Sequence, residues 1–178
     1  MLFRSAKDVV VMWLGRFTEV KRPDHVVEIA KRFPETVFVM AGGGELFDKN
    51  RSDAPTNVKF VGFEDKNDMW AIADIGICTS DSEGMPLSLI EAQMAGVPVV
   101  STDVGSVSEI VEDGKSGFLS SRENADLAAK IAPLIGSEKL RQEMGAAAKK
   151  RAESLFSADV MVKAHLRLYQ ELLGKVSR

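Results

Sequence analysis

Apolar and polar positions divide the chain into two regions. In the first, short apolar segments that read as strands alternate with stretches of helical spacing. Val9 to Leu14 (V-V-V-M-W-L) and Thr36 to Ala41 (T-V-F-V-M-A) are nearly unbroken, the pattern of strands covered on both faces. Shorter segments follow at Val58 to Val61, Ile75 to Thr79, Pro98 to Ser101 and Phe118-Leu119. The intervening stretches carry helical spacing. Asp24 is placed to cap a helix through Phe33 that buries Val26, Val27, Ile29, Ala30 and Phe33. A short helix is expected at 45–50, another at Asn67 to Ala73 with Met69, Trp70 and Ile72 partly buried, and a third at Val107 to Val111. Pro86 suits the first position of a further helix, on which Leu87, Ile90, Met94 and Ala95 form an inward stripe. From Glu123 the strands stop. Asp126–Ile135, Glu138–Ser154 and Ala158–Leu173 read as three successive helices, the last capped by Ser157. This alternation predicts an α/β fold: a doubly wound, mostly parallel six-stranded Rossmann-like sheet with helices on both faces and a helical C-terminal tail.

Composition narrows the function classes without choosing one. The 178 residues fit a single domain, with a core over about 8–120 and C-terminal helices over about 123–173. A net charge of −3 gives no basic face, so nucleic acid is not expected as a partner. No apolar run reaches the roughly 18 residues of a membrane span, and MLFRSAKD lacks a signal-peptide core. With one cysteine, Cys78, there is no internal disulfide, and a cytoplasmic setting is expected. Cys78 sits in I-G-I-C-T and reads as a small buried hydrophobe. His25 and His165 have no metal partner at ligand spacing, so no metal site is expected.

In a doubly wound sheet, ligands bind beyond the carboxyl ends of the strands. The loops there are Gly15–Lys21, Gly42–Glu45, Gly62–Glu64, Thr79–Met85 and Thr102–Ser106, each with glycine, charge or hydroxyl. Arg16 and Lys21 offer a planar fork and a point charge, both suited to a diphosphate. Gly42-Gly43-Gly44 matches neither the dinucleotide fingerprint nor a Walker loop; it is a tight turn, or gives a nucleoside access to backbone. Glu83 precedes a helix start, Gly84 permits a sharp turn or close ligand approach, and Glu91 stands roughly 7.5 Å along the axis from Pro86. Two carboxylates thus bracket a helix end that favours anions. A hydrolytic acid/base pair would straddle a sugar, whereas one short segment reads one side of a ligand.

These segments together resemble the C-terminal, donor-binding domain of a GT-B glycosyltransferase of family 4. The likeness runs from about Val9 to Tyr169. It is carried by G-R-F-T-E-V-K at 15–21, A-G-G-G-E-L at 41–46, V-K-F-V-G-F at 58–63, S-E-G-M-P-L-S-L-I-E-A at 82–92, A-G-V-P-V-V-S-T-D-V-G at 95–105 and E-I-V-E-D-G-K-S-G-F-L at 109–119. The resemblance implies a retaining, metal-independent transferase with no cofactor, whose substrate is a UDP- or GDP-type nucleotide sugar and whose acceptor is a glycan or lipid. Arg16 and Lys21 would hold the diphosphate, and Glu83 would meet the transferred sugar. Gly15, Gly43, Gly44 and Phe63 would line the donor site, Gly84, Met85, Pro86 and Leu87 the sugar and phosphate, and Glu91 would take the ribose hydroxyls. The chain departs from the family pattern at Ser106, where a second glycine is usual, and at Arg22, where glycine is common. The family's N-terminal acceptor domain is absent, so a missing domain or partner subunit is implied, with peripheral membrane association of the full enzyme as a further expectation. A donor-binding module without turnover and a nucleotide-sugar epimerase of the same architecture are the alternatives.

Overall fold

The computed structural model describes residues 8–176. Six parallel strands form one sheet in the order β3-β2-β1-β4-β5-β6. They are β1 (Val10–Leu14), β2 (Val37–Ala41), β3 (Val58–Gly62), β4 (Ile75–Cys78), β5 (Val99–Thr102) and β6 (Gly117–Ser120). The helices are α1 (Pro23–Ala30), α2 (Phe47–Asp53), α3 (Lys66–Ile72), α4 (Leu87–Met94), α5 (Val107–Ile110), α6 (Asn124–Gly136), α7 (Glu138–Phe156) and α8 (Ala158–Val176). The strand order reverses at β1 and β4, the switch point at which such sheets open a ligand crevice.

The unbroken apolar runs are explained by two cores. Val11 and Trp13 point to one face with Phe38, Met40, Ile75 and Ile77, under α1 and α6. Val10 and Met12 point to the other with Val39, Cys78 and Val99, under α3, α4 and α5. Adjacent residues on one strand serve opposite layers, so no position on β1 can be polar. Each fully buried Phe, Leu, Ile or Met contributes about 1.5–3 kcal/mol, which makes the buried positions of β1 and β2 costly places to introduce a polar residue.

Several local expectations are corrected. Asp24 does not cap α1. Arg22 takes that position with left-handed backbone (φ 47), Pro23 begins the helix, and the Asp24 carboxylate bonds the Arg22 guanidinium. The helix ends at Ala30 rather than Phe33, and α2 starts two residues later than expected and runs on to Asp53. Met69 and Trp70 are fully rather than partly buried. Pro86 precedes α4 in extended conformation instead of occupying its first position.

The stripe on α4 is the largest correction. Leu89, Ala92 and Gln93 face inward, while Leu87 is 68% exposed and Ala95 is on the surface. The buried face carries Leu89 with Ala92 and Gln93, and of the expected stripe Ile90 packs partly against the same core. Gly96 and Gly145 let the end of α4 touch α7 so closely that a Cβ on Gly145 would lie 2.1 Å from the Gly96 carbonyl oxygen.

The tail is helical as expected, but α8 continues to Val176 and leaves a broad apolar face uncovered. Met161, Leu166, Tyr169, Leu172 and Leu173 are all half-exposed or more, and Leu168 nearly so. Among the described residues, no helix is long and apolar enough to cross a membrane.

Candidate functional site

The loop after β1 is fixed from below. Phe17 is fully buried, edge-on to Trp13 (4.8 Å between centroids) and Phe47 (4.9 Å), and its N–H donates to the Gly43 carbonyl (3.0 Å). Anchored there, the chain makes one 3-10 turn at Glu19–Lys21. Three hydrogen bonds then join this turn to the loop after β4. The Thr79 hydroxyl donates to the carbonyls of Lys21 (3.0 Å) and Arg22 (2.9 Å), and the Asp81 N–H donates to the Val20 carbonyl (2.8 Å).

This clamp brings Lys21 and Glu83 together. The Lys21 ammonium donates to Glu83 Oε1 at 2.6 Å, as does the Ser80 hydroxyl, with the Cys78 thiol at 3.8 Å. The Glu83 side chain is 8% exposed, and these three contacts all fall on Oε1. Burial pushes the Cys78 thiol above its ordinary range, so it stays a neutral donor. Ser80 is itself held by Thr102, whose hydroxyl donates to the Ser80 carbonyl (2.6 Å).

The helix end beyond Glu83 is open. No side chain caps α4, and Leu87 and Ser88 carry N–H groups with no intrahelical partner. Gly84 and Met85 are exposed and Pro86 is buried. A Cβ on Gly84 would meet nothing within 4 Å, and its φ is not positive, so the fold makes no demand for glycine there. Gly105 is the opposite case. Its φ is +56, and a Cβ would lie 1.6 Å from the Glu83 carbonyl oxygen; next to it the Ser106 N–H donates to the Gly84 carbonyl (3.2 Å).

A separate cleft of 270 Å³ opens beside β1 and β3, lined in part by Gly15, Arg16, Gly42, Phe63 and Lys66. Phe63 is 84% exposed and lies over Gly43, whose Cβ would be 2.6 Å from the ring. Gly44 (φ +149) packs against the Phe17 backbone, so the glycine turn has a structural cause of its own. Glu91 is partly covered, as expected from its position, and its carboxylate bonds the Lys66 ammonium. That hydrogen bond and the adjacent charge raise the Lys66 pKa.

Of the residues singled out from sequence, Lys21 and Glu83 meet directly, and Gly15, Arg16 and Phe63 share one cleft, with Gly43 beneath the Phe63 ring. Gly84, Met85 and Leu87 surround the open helix end, and Glu91 lies on the same helix. Sequence reasoning missed Lys66, Thr79 and Ser80. Thr79 and Ser80 lay within a loop already marked as a strand's carboxyl end, and Lys66 two residues past another. No group of three or more His, Cys, Asp or Glu side chains among the described residues could hold a metal.

At the switch point of this doubly wound sheet, the Lys21–Glu83 pair lies on the loops leading to an uncapped helix end, a kind of position where such folds bind anionic ligands. Comparison with known proteins names the family. Residues 2–151 match the model for glycosyl transferases group 1, and the chain belongs to that family. It is 30% identical to the O-antigen biosynthesis glycosyltransferase WbnH of Escherichia coli over 68% of this chain and 36% of that one. It is 25% identical to the N-acetyl-alpha-D-glucosaminyl L-malate synthase of Bacillus anthracis over 95% of this chain and 47% of that one. Among solved structures, a mutant of S. aureus TarM, in complex with fondaparinux, alpha-GlcNAc-glycerol and UDP, superposes with a TM-score of 0.83 at 26% identity, over 92% of this chain and 36% of that one. Sucrose-phosphate synthase of Thermosynechococcus elongatus shares the fold, with a TM-score of 0.88 at 22% identity over 97% of this chain and 47% of that one. The chain spans less than half the length of these relatives.

Proposed function

We propose that this chain is the donor-binding half of a retaining, metal-independent glycosyltransferase that takes a hexosyl group from a nucleoside-diphosphate sugar to a glycan or lipid. The observation that carries this reading is the meeting of Lys21 with Glu83 beside the open end of α4. Free N–H groups, a helix dipole and an ammonium converge where negative charge would develop. As the bond between the anomeric carbon and the phosphoryl oxygen breaks, the departing diphosphate gains charge, and donors already in position stabilise it without reorganisation. Lys21 and Arg16 take the phosphoryl oxygens. Gly84 lets the backbone approach them, with Met85, Pro86 and Leu87 flanking. Glu83 keeps Oε2 for a sugar hydroxyl. At the nucleoside end Glu91 receives the ribose hydroxyls, and Gly15, Gly43, Gly44 and Phe63 border the base, the Phe63 ring supplying a stacking face. No cofactor takes part, and the setting is cytoplasmic.

Acceptor binding falls to a second half, on the same polypeptide or on a partner chain. The chain spans less than half the length of the relatives it matches, and the uncovered apolar face of α8 is a surface such a half would bury. Without it the domain binds donor and transfers little, and the full enzyme associates peripherally with a membrane where its acceptor is a lipid.

Calorimetric titration with UDP and GDP tests the donor site. Lys21→Ala and Glu91→Ala each weaken binding of the preferred nucleotide by about tenfold or more, the loss of one charge-assisted hydrogen bond or ion pair to a ligand. Gly84→Ala leaves the urea midpoint unchanged, because its Cβ enters open space, yet weakens binding by crowding the phosphate. Wild-type affinity in all three variants would overturn the assignment.

A further inference from the structure

We infer that a second cavity, at the carboxyl ends of β5 and β6, binds a neutral, hydroxyl-rich ligand: a sugar residue, placed beside the donor site. The cavity measures 850 Å³ and lies between the end of β6, the first turns of α6 and the loop after β5. Asp103, Asp113, Asp126, Arg122 and Lys130 line it, and Ser120 forms part of its wall. Ser120 is 6% exposed, and its hydroxyl has no hydrogen-bond partner. A buried hydroxyl is seldom left unsatisfied, so an orphan on a cavity wall points to a ligand that completes it.

The charges define the ligand by exclusion. Three carboxylates repel an anion. Two cations interleaved with them, and the lack of a metal-holding cluster among the described residues, argue against a divalent ion. Mixed charge with only Leu119 and Ala129 as apolar lining does not suit a hydrophobic molecule. A hydroxyl both donates and accepts, so carboxylates and cations can serve one polyol together. Part of the set is already ordered. Asp113 accepts from the Leu119 N–H (2.8 Å) and stands 4.0 Å from the Lys130 ammonium, and Asp126 accepts from the Ser121 hydroxyl (2.6 Å). Asp103 and Arg122 make no side-chain hydrogen bond or ion pair among the described residues, which leaves an acceptor and a planar donor open to a ligand.

The cavity shares a wall with the donor site. The segment after β5 binds the end of β6 through the Asp103 N–H to the Ser120 carbonyl (2.9 Å), and two residues on it abuts Glu83 through Gly105. A sugar seated against Asp103 is therefore separated by one loop from the carboxylate assigned to the transferred sugar. That the bound residue belongs to the acceptor rests on the glycosyl-transfer reading; that the cavity binds sugar does not.

The test is amide NMR titration of the full chain with maltotriose, with N,N′,N″-triacetylchitotriose and, separately, with UDP. At least one trisaccharide shifts the amides of Asp103 and of Leu119 through Asp126. The Asp103→Asn/Arg122→Ala double variant, altered only at exposed positions, weakens that trisaccharide about tenfold, as expected for two charge-assisted hydrogen bonds, while UDP shifts at Gly15, Phe63 and Leu87 are retained. Ser120→Ala weakens it by a smaller factor. The inference is overturned if neither trisaccharide moves these amides, if the shifts fall only on the donor cleft, or if the double variant binds like wild type. Trisaccharide shifts in a chain that ignores UDP would uphold the sugar cavity and sink the donor reading.

Discussion

Gly105 is the position where fold and site are most tightly coupled, and Gly105→Ala tests that coupling. The substitution places a methyl group 1.6 Å from the Glu83 carbonyl oxygen, where contacts below 3.0 Å are essentially never tolerated. The obstacle is backbone, so no rotamer change relieves it. The residue also has φ +56, which costs a non-glycine residue about 1–2 kcal/mol. Moving the loop off Glu83 breaks the bond from the Ser106 N–H to the Gly84 carbonyl, worth about 0.5–1.5 kcal/mol. The sum is a loss of roughly 1.5–3.5 kcal/mol, and with a urea m-value near 2 kcal/mol/M the midpoint falls by about 0.8–1.8 M. Urea unfolding followed by circular dichroism measures it, with Ser106→Gly as control. Ser106 has φ −95, an ordinary conformation, so the control changes stability by less than about 1 kcal/mol. Nucleotide affinity in Gly105→Ala should fall too, because Glu83 and Gly84 lose the contacts that hold their loop in place. A midpoint within about 0.3 M of wild type would refute the idea that this contact fixes the glutamate loop.

Arg22→Gly removes the left-handed strain at the one non-glycine residue with positive φ among those described, about 1–2 kcal/mol. Against this stand glycine's chain entropy and two solvent-exposed ion pairs, to Asp24 and Asp81, that contribute little; unfolding should show neutrality or a gain of up to about 1 kcal/mol, and a loss beyond that would mean the guanidinium is a structural anchor. His25 provides a pH dependence. Burial, and then the nearby Arg22 charge, hold its pKa below 6.5, so between its folded value and 6.5 the unfolded chain binds more protons than the folded one. Stability therefore rises with pH through that window, is complete above it, and falls on acidification. The slope of the urea midpoint between pH 5 and 7 should shrink in His25→Gln, and an unchanged slope would assign the acid sensitivity elsewhere.

The two departures from the family's glycine pattern show how far sequence could lead. Ser106 stands in place of a second glycine, and its backbone shows why that is tolerated: of the pair, only Gly105 is left-handed and in contact with Glu83. Arg22 stands in place of another and does take the left-handed conformation, so that departure carries real strain. Sequence marks both positions alike and cannot rank them, because the distinction lies in φ and in what a Cβ would strike. The same limit explains α4. Leu87, expected inward, is exposed, while Leu89 and Ala92 are buried and Gly96 meets Gly145 of α7, a close approach that hydropathy does not encode.

Where one physical rule acted alone, prediction held. The double-sided burial of β1 and β2 fixed the parallel sheet, and the carboxyl ends of parallel strands located the loops of the candidate site. Where two groups had to meet across the chain, as Lys66 meets Glu91 and Ser80 meets Glu83, residue identity carried no signal of the pairing. A carboxylate at 83 or 91 announces a need for donors, and the donors the protein itself supplies are visible only in the fold. That bears on the mechanism. Glu83 Oε1 is committed to Lys21, so a phosphate drawing on Lys21 and a sugar hydroxyl drawing on Glu83 would act on one shared ion pair. Their effects should therefore be non-additive: Lys21→Ala/Glu83→Gln should cost less nucleotide-sugar affinity than the two single losses summed, and strict additivity in that cycle would show that the two residues serve the donor independently.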